Sequence, residues 1–409
     1  MYIVFDIGTT SIKAALSPAP GALRAAASRP NPQLRWGTDI ISRISAAIDS
    51  PAERAALHGC LVATLDDMAA CLLGEPGARG RALDGGCAVG NPAMYAFLLD
   101  IDPAPLGVFP SSLPPQPDRR LAAADLGFRR VAAPLFVPAP WRGFVGSDAL
   151  ASIVCLTRAG ERAGDRAGER ARGLDGAAGY PALLIDVGTN VEVILLTATG
   201  RGYLASVAGG PAFEDLSLPG DAVRLDFDPA GLALEAGPPD AGPPGTGALP
   251  FYGSGVVALL AHLRRVGAIE PGGRLARGGV DLDFTYAGCR LRLGQRFIRN
   301  FQLSKAAMLA AVLTLLDIPG ITAAELCGLY VTGLFGAELD YDSAVFLGML
   351  PAVPPARYRA QVDMPLLGAT WLAGEPQAAA AVRGGFKHVA LDAHHGFKEH
   401  FANCMELRA

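Results

Sequence analysis

The chain has 409 residues, enough for two or more domains, and its 51 % apolar content allows large buried cores. With 35 Lys and Arg against 39 Asp and Glu, the net charge is −4, and neither a basic stripe nor an acidic tail stands out. That balance argues against a nucleic-acid partner. The longest apolar run, AAMLAAVLTLL at 306–316, is 11 residues and reads as a buried helix, so no membrane span is expected. A strand beginning at Tyr2 leaves no room for a signal peptide, and the expected location is cytoplasmic.

The chain opens on FDIGTTSIKAAL at 5–16, which reads as strand, tight turn, strand. Gly8 lets the backbone bend sharply, and Thr9 and Thr10 offer N–H and hydroxyl groups to phosphate oxygens. Asp6, at the strand end, suits a hydrated Mg2+. A third strand is predicted over 22–28. Asn31-Pro32 then turns into a helix capped by Thr38 or Asp39, with Ile40, Ile41, Ile44 and Ile48 inward. In that stretch Asn31, Gln33, Asp39 and Arg43 either line a cleft beside the first hairpin or form a plain turn with a surface Arg. Residues 53–73 read as a second helix. CAVGNPAMYAFLLDI at 87–101 reads as strand, Gly90-Asn91 turn and helix, and Ser147 or Asp148 caps the helix entered by GFVGSDALASIVCL.

Residues 158–179 are low-complexity with alternating charges and read as an exposed linker. Beyond it the opening motif returns. IDVGTNVEVILL at 185–196 aligns on the first copy without a gap, 180 positions on, with Asp186 on Asp6, Gly188 on Gly8, Thr189 on Thr9 and Asn190 on Thr10. One such hairpin is ordinary; two, each opening half of the chain, suggest a jaw for a polyphosphate. The next strand is Tyr203–Val207, and Gly209-Gly210-Pro211 would let the backbone pass close to a nucleotide. Residues 297–316 form a long helix with Phe297, Phe301, Ala306 and Leu309 near one face; Lys305 is either a nucleotide contact or, preferably, a snorkelling surface lysine. LYVTGLFGAELD at 329–340 is a strand, a Gly-rich turn and a helix start, a place for adenosine or phosphate. In the tail, His394, His395, Glu399, His400 and Cys404 read as a polar helix face before a metal site.

Taken together, DIGTT, DVGTN and VTGLFG, in that order, resemble the two phosphate motifs and the adenosine motif of the ASKHA superfamily of kinases, heat-shock ATPases and actin. NPQLRWGTDIISRI, GNPAMYAFLLDI, AGGPAFED, IRNFQLSKAAML and LGATWL narrow the resemblance to the reductive activators of corrinoid-dependent proteins. It implies an α/β fold of two ribonuclease-H-like lobes, each on a five-stranded sheet, with an ATP cleft between them. The implied lobes are 1–157 and 181–409, joined by 158–180. The implied function is a Mg2+-dependent ATPase that couples ATP to reduction of Co(II) to Co(I) on a corrinoid protein or its methyltransferase. A homodimer enters on the resemblance alone. On that template Gly8, Thr9, Thr10, Gly188, Thr189 and Asn190 hold phosphates, and Asp6 and Asp186 hold metal-bound water. Gly209, Gly210, Gly333, Phe335 and Gly336 border the nucleoside. For the general base the choice from the residues is Asp148, with Asp39 second; both are Asp residues entering helices, where a plain cap is the competing reading. The seven cysteines form no CxxC or iron–sulfur spacing, so no cluster is expected in this chain and a separate ferredoxin-like donor is. A small-molecule kinase on the same fold and a nucleotide-dependent regulatory module without turnover are the alternatives.

Overall fold

The computed structural model describes residues 1–108, 111–162, 179–188, 190–198, 201–209, 227–234, 253–276, 278–286, 289–333 and 339–408. Its first half contains strands β1 (Tyr2–Ile7), β2 (Ser11–Ser17), β3 (Ala25–Pro30), β4 (Gly85–Gly90), β5 (Arg119–Ala122) and β6 (Pro134–Val137). The helices there are α1 (Ile40–Asp49), α2 (Pro51–Leu73), α3 (Pro92–Leu98) and α4 (Ser147–Arg162). The second half adds β7 (Ala182–Val187), β8 (Asn190–Ala198), β9 (Arg201–Ala208), β10 (Leu232–Leu234), α5 (Ser254–Arg265), β11 (Asp281–Tyr286) and β12 (Cys289–Gly294). It continues with α6 (Gln295–Asp317), β13 (Gly328–Gly333), α7 (Tyr341–Phe346), β14 (Tyr358–Ala360), α8 (Met364–Gly374), α9 (Gln377–Gly385), β15 (Phe386–His388) and α10 (His395–Asn403).

The chain folds into two compact units. One comprises Met1–Tyr180, Leu196–Leu204 and Asp363–His388; the other comprises Pro181–Leu195, Ala205–Val362 and Val389–Ala409. The late segment Asp363–His388 therefore groups with the first unit, which differs from the contiguous lobes drawn from sequence. Its main element, α8, packs on β1, β4 and α4. A side chain on Gly368 would run into the Ala151 backbone, so only glycine lets α8 lie this close to α4.

In the first unit a sheet of order β3-β2-β1-β4-β6-β5 joins an antiparallel meander to parallel strands. The alternate residues Ile3, Phe5 and Ile7 face a core shared with Leu57, Leu61, Leu65 and Met68 of α2. This helix, of 23 residues, is long and apolar enough to cross a membrane by length and composition. The expectation that no segment reaches that length is corrected: its apolar residues are interspersed with small and charged ones, so no single run displays them.

The second main sheet has the order β14-β13-β7-β8-β9-β15, and β10, β11 and β12 form a separate antiparallel sheet. Both main sheets contain the five-strand ribonuclease-H-like order, but among the described residues each has six strands, not five. The extra strands, β5 and β15, are only four and three residues long.

Three local expectations are also corrected. On α1 the buried residues are Ile40, Arg43, Ile44 and Ala47. Ile41 and Ile48 point out, 50 % and 47 % exposed, while Arg43 is fully buried and its Nε donates to the Gly37 carbonyl at 3.0 Å. Lys305, expected at the surface, is fully buried in α6, and its Nζ donates to the Glu406 carbonyl. The expected linker at 158 is still helix through Arg162; residues 163–178 lie outside the described residues.

Candidate functional site

The first hairpin turns at Gly8, whose N–H donates to the Ser11 carbonyl at 3.0 Å. A Cβ here would stand 2.7 Å from that same oxygen, so the bend requires glycine. Two asparagines hold the turn from behind. Buried Asn31 donates from Nδ2 to the Gly8 carbonyl at 2.8 Å and from its backbone N–H to the Thr10 carbonyl at 2.9 Å. Its Oδ1 accepts from the Gln33 N–H, which fixes which end of the amide is which. Asn91, at the end of β4, caps α3 through Oδ1, which accepts from the N–H groups of Ala93 and Met94. Its Nδ2 is thereby committed as a donor, and it donates to Thr9 Oγ1 at 3.1 Å.

The Thr9 hydroxyl thus already accepts, and its own proton remains to be given. Among the described residues nothing takes it. Thr10 beside it is exposed. A tight turn presenting donors in this way suits an anion.

Electrostatically the hairpin is centred on Asp6. The β1–β2 register places Lys13 directly opposite, on the same face of the sheet. Burial pushes the Asp6 carboxyl up to about 6; Lys13 pulls it down and Asp363 pushes it further up. Lys13 Nζ donates to Asp363 Oδ1 at 2.6 Å. Neither Lys13 nor Asp363 was singled out from sequence. Lys13 had one available signal: it faces Asp6 across the hairpin, and its gapless counterpart in the second copy is the buried Val193. Asp363 had none, lying 350 positions away.

The second hairpin repeats the residues but not the turn. Gly188 N–H donates to the Asn190 carbonyl at 3.0 Å, closing one residue earlier than Gly8 does on Ser11. Asp186 pairs in register with Thr332 of β13, and Gly333 follows with φ +94°. A Cβ on Gly333 would run into the Val187 carbonyl and lie 2.8 Å from Asp186 Oδ1. This glycine therefore brings the end of β13 against the Asp186 strand end. Gly209 is buried at the end of its strand. Thr189, Gly210, Phe335 and Gly336 lie outside the described residues.

The two candidate bases differ. Asp39 is exposed and caps α1; Oδ1 accepts from the Ser42 N–H at 2.8 Å and Oδ2 from Ser42 Oγ at 2.6 Å. The Ser42 hydroxyl holds its carboxyl below the usual range. Half-buried Asp148 lies in the first turn of α4, and its Oδ1 accepts from the Ala149 N–H at 2.8 Å. A Cβ on the intervening Gly146 would meet Gly90, Asn91 and Asp148 together, so Asp148 stands close to the asparagine that holds Thr9. Ser147 does not serve as the expected cap; its Oγ bonds the Gly90 backbone.

Among the described residues no group of three or more His, Cys, Asp or Glu could hold a metal ion. In the tail, His400 Nε2 is 2.6 Å from Asp317 Oδ2, and Cys404 is buried.

Residues 1–157 match the family model of the RACo middle region, and residues 180–409 match that of the C-terminal domain of RACo, the ASKHA domain. The corrinoid activation enzyme RamQ of Eubacterium limosum is 27 % identical over 378 residues, which cover 86 % of this chain and 60 % of RamQ. Among solved structures, a reductive activator for corrinoid, iron–sulfur protein superposes with a TM-score of 0.74 at 22 % identity, over 99 % of this chain and 65 % of that one. That likeness shows the fold, and the chain spans less than two thirds of either relative. With the two models matched in succession along almost the whole sequence, this chain belongs to the RACo family, matching its middle region and its C-terminal ASKHA domain.

Proposed function

We propose that the chain binds and hydrolyses ATP with Mg2+, and that this drives reduction of Co(II) to Co(I) on a corrinoid protein, the electron coming from a separate ferredoxin-like donor. The observation that carries the reading is the first hairpin. Asn31 fixes its bend, Asn91 sets the Thr9 hydroxyl as a donor, and Lys13 adds a positive charge. Family membership supports the corrinoid side, as do two relatives described as a corrinoid activation enzyme and a reductive activator.

In this proposal Gly8, Thr9 and Thr10 are phosphate contacts of the first unit, and Gly188, Thr189 and Asn190 are those of the second. Gly209, Gly210, Gly333, Phe335 and Gly336 border the nucleoside. Asp6 and Asp186 would hold water on Mg2+, which supplies charge neutralisation on the phosphates when bound. A half-buried carboxylate at a strand end fits an ion that keeps several waters, and the pressure against ionisation at Asp6 is what a nearby dication relieves. Asp148 is the proposed base that deprotonates the attacking water, with Asp39 second. The proposed setting is the cytoplasm, and the proposed partner is a corrinoid protein or its methyltransferase. A homodimer is part of the same proposal.

The test mixes the chain with Mg2+, ATP, reduced ferredoxin and a Co(II) corrinoid protein, and follows Co(I) absorbance together with phosphate release. The expected result is that both occur and each needs the other. Asp6→Ala or Asp186→Ala should abolish turnover with the circular dichroism unchanged. Full turnover in both variants removes the metal assignment, and hydrolysis driven by a small hydroxyl acceptor alone favours a kinase.

A further inference from the structure

We infer that Asp363 is a built-in anion that occupies Lys13 until a phosphate group takes its place, so that anion binding at the first hairpin is coupled to the start of α8. The inference rests on the nucleotide reading above and specifies how that hairpin is regulated.

Four observations carry it. First, the Lys13 ammonium, on the hairpin strand opposite Asp6, reaches Asp363 Oδ1 at 2.6 Å. Second, Asp363 sits where α8 needs a cap and does not provide one: its side chain makes no capping hydrogen bond. Third, its backbone is left-handed, φ +57°, a conformation that L residues other than Asn and Asp seldom adopt. An aspartate that gives up its cap and accepts a left-handed backbone, with its carboxylate on a lysine, is placed for that lysine.

Fourth, the pair is only partly buried, with the Lys13 side chain 29 % and the Asp363 side chain 36 % exposed. An ion pair that water reaches is weak and exchanges for a better anion, whereas a fully buried one would resist. A phosphate arriving at Thr9 and Thr10 brings more charge than a carboxylate and repels Asp363 as it attracts Lys13. The residue thus released is the one that starts α8, whose Met364, Leu366 and Ala369 are buried in the first unit.

The test is calorimetric titration of the full chain with Mg2+–ATP and, separately, with inorganic tripolyphosphate. The variants are Asp363→Asn, Lys13→Met and the double substitution. Asparagine tolerates the left-handed backbone; Asp363→Gly serves if Asp363→Asn fails to fold. The expected result is that Asp363→Asn binds both ligands about two- to fivefold more tightly, the scale of an ion pair that water reaches, and that the gain vanishes when Lys13 is already Met. Unchanged or weaker binding by Asp363→Asn overturns the inference. So does a gain that survives in the Lys13→Met background, because that would be bulk repulsion without Lys13. Binding of neither ligand by the unmodified chain overturns the nucleotide reading as well; binding without tightening overturns this inference alone.

Discussion

Asn91 serves α3 and Thr9 with opposite ends of one amide: Oδ1 accepts from the Ala93 and Met94 N–H groups, and Nδ2 donates to Thr9 Oγ1 at 3.1 Å. The two jobs can be separated by substitution. Asn91→Asp keeps the cap, since a carboxylate accepts the same two N–H bonds, but it cannot donate to Thr9 and adds a negative charge near the turn. Stability should stay within about 1 kcal/mol of the unmodified chain. ATP affinity should fall by about tenfold or more, the worth of a hydrogen bond to a charged group. Asn91→Ala should lose both, with about 1 kcal/mol of stability gone as well. Thermal unfolding and calorimetric titration of the two variants check this; equal ATP affinity in Asn91→Asp and the unmodified chain would remove Asn91 from the site.

Gly333 and Gly320 offer a matched pair. Both have positive φ, +94° and +71°, but a Cβ on Gly320 meets nothing within 4 Å, whereas on Gly333 it meets Val187 and Asp186. Gly320→Ala should cost only the left-handed backbone, about 1 kcal/mol. Gly333→Ala should cost that plus the clash, about 3 kcal/mol together, because the obstacle is backbone that cannot swing away. Urea unfolding of the two variants measures the difference, and equal losses would mean that β13 does not press on the Asp186 strand end.

The sequence made the hairpins legible because their chemistry is local: apolar run, Asp, Gly, Thr, apolar run, twice. It did not reveal that Gly188 closes on Asn190 where Gly8 closes on Ser11, because that depends on strand register rather than on residue type. Apolar periodicity located α1 but misjudged its inner face. The four buried positions went to Ile40, Arg43, Ile44 and Ala47, and Arg43 holds its place through a backbone carbonyl that only the folded loop supplies. Lys305 misled for the same reason, its acceptor being a carbonyl 101 residues away. β5 and β15 carry no alternating apolar pattern to announce them, and the Lys13–Asp363 pair is wholly a product of tertiary packing.

The two candidate bases make opposite predictions. Asp39 has both carboxylate oxygens engaged by Ser42, and Asn is as good a cap as Asp, so Asp39→Asn should keep turnover within about threefold. Asp148→Asn should lower ATP turnover by about a hundredfold, the lower range for a general base, with ATP affinity changed by less than about threefold. Single-turnover hydrolysis with ATP in excess of its dissociation constant separates these. A large loss in Asp39→Asn with none in Asp148→Asn would exchange the assignments.

Lys305 gives the second unit a pH signature. Burial lowers its pKa from 10.5 to about 8; Arg408 pushes the same way, and Cys404 and Glu406 oppose. The unfolded chain therefore holds this proton up to about pH 10.5 while the folded chain releases it near 8. Between those values the unfolded state binds more protons, so this group's contribution to stability grows as pH rises and is lost as pH falls through about 8. At pH 7 the folded protein keeps a buried ammonium whose Nζ donates to the Glu406 carbonyl, beside the tail where Gln302 Nε2 bonds the Met405 carbonyl and Leu407 is fully buried. Lys305→Met removes the titration and leaves the rest of the fold's pH dependence in place. The stability of the unmodified chain relative to Lys305→Met should therefore rise by up to about 3 kcal/mol between pH 7 and pH 10. Urea unfolding of both proteins at the two pH values measures this difference. A difference independent of pH would mean that Lys305 stays charged in the folded protein throughout that range, held by its partners in the tail in spite of its burial.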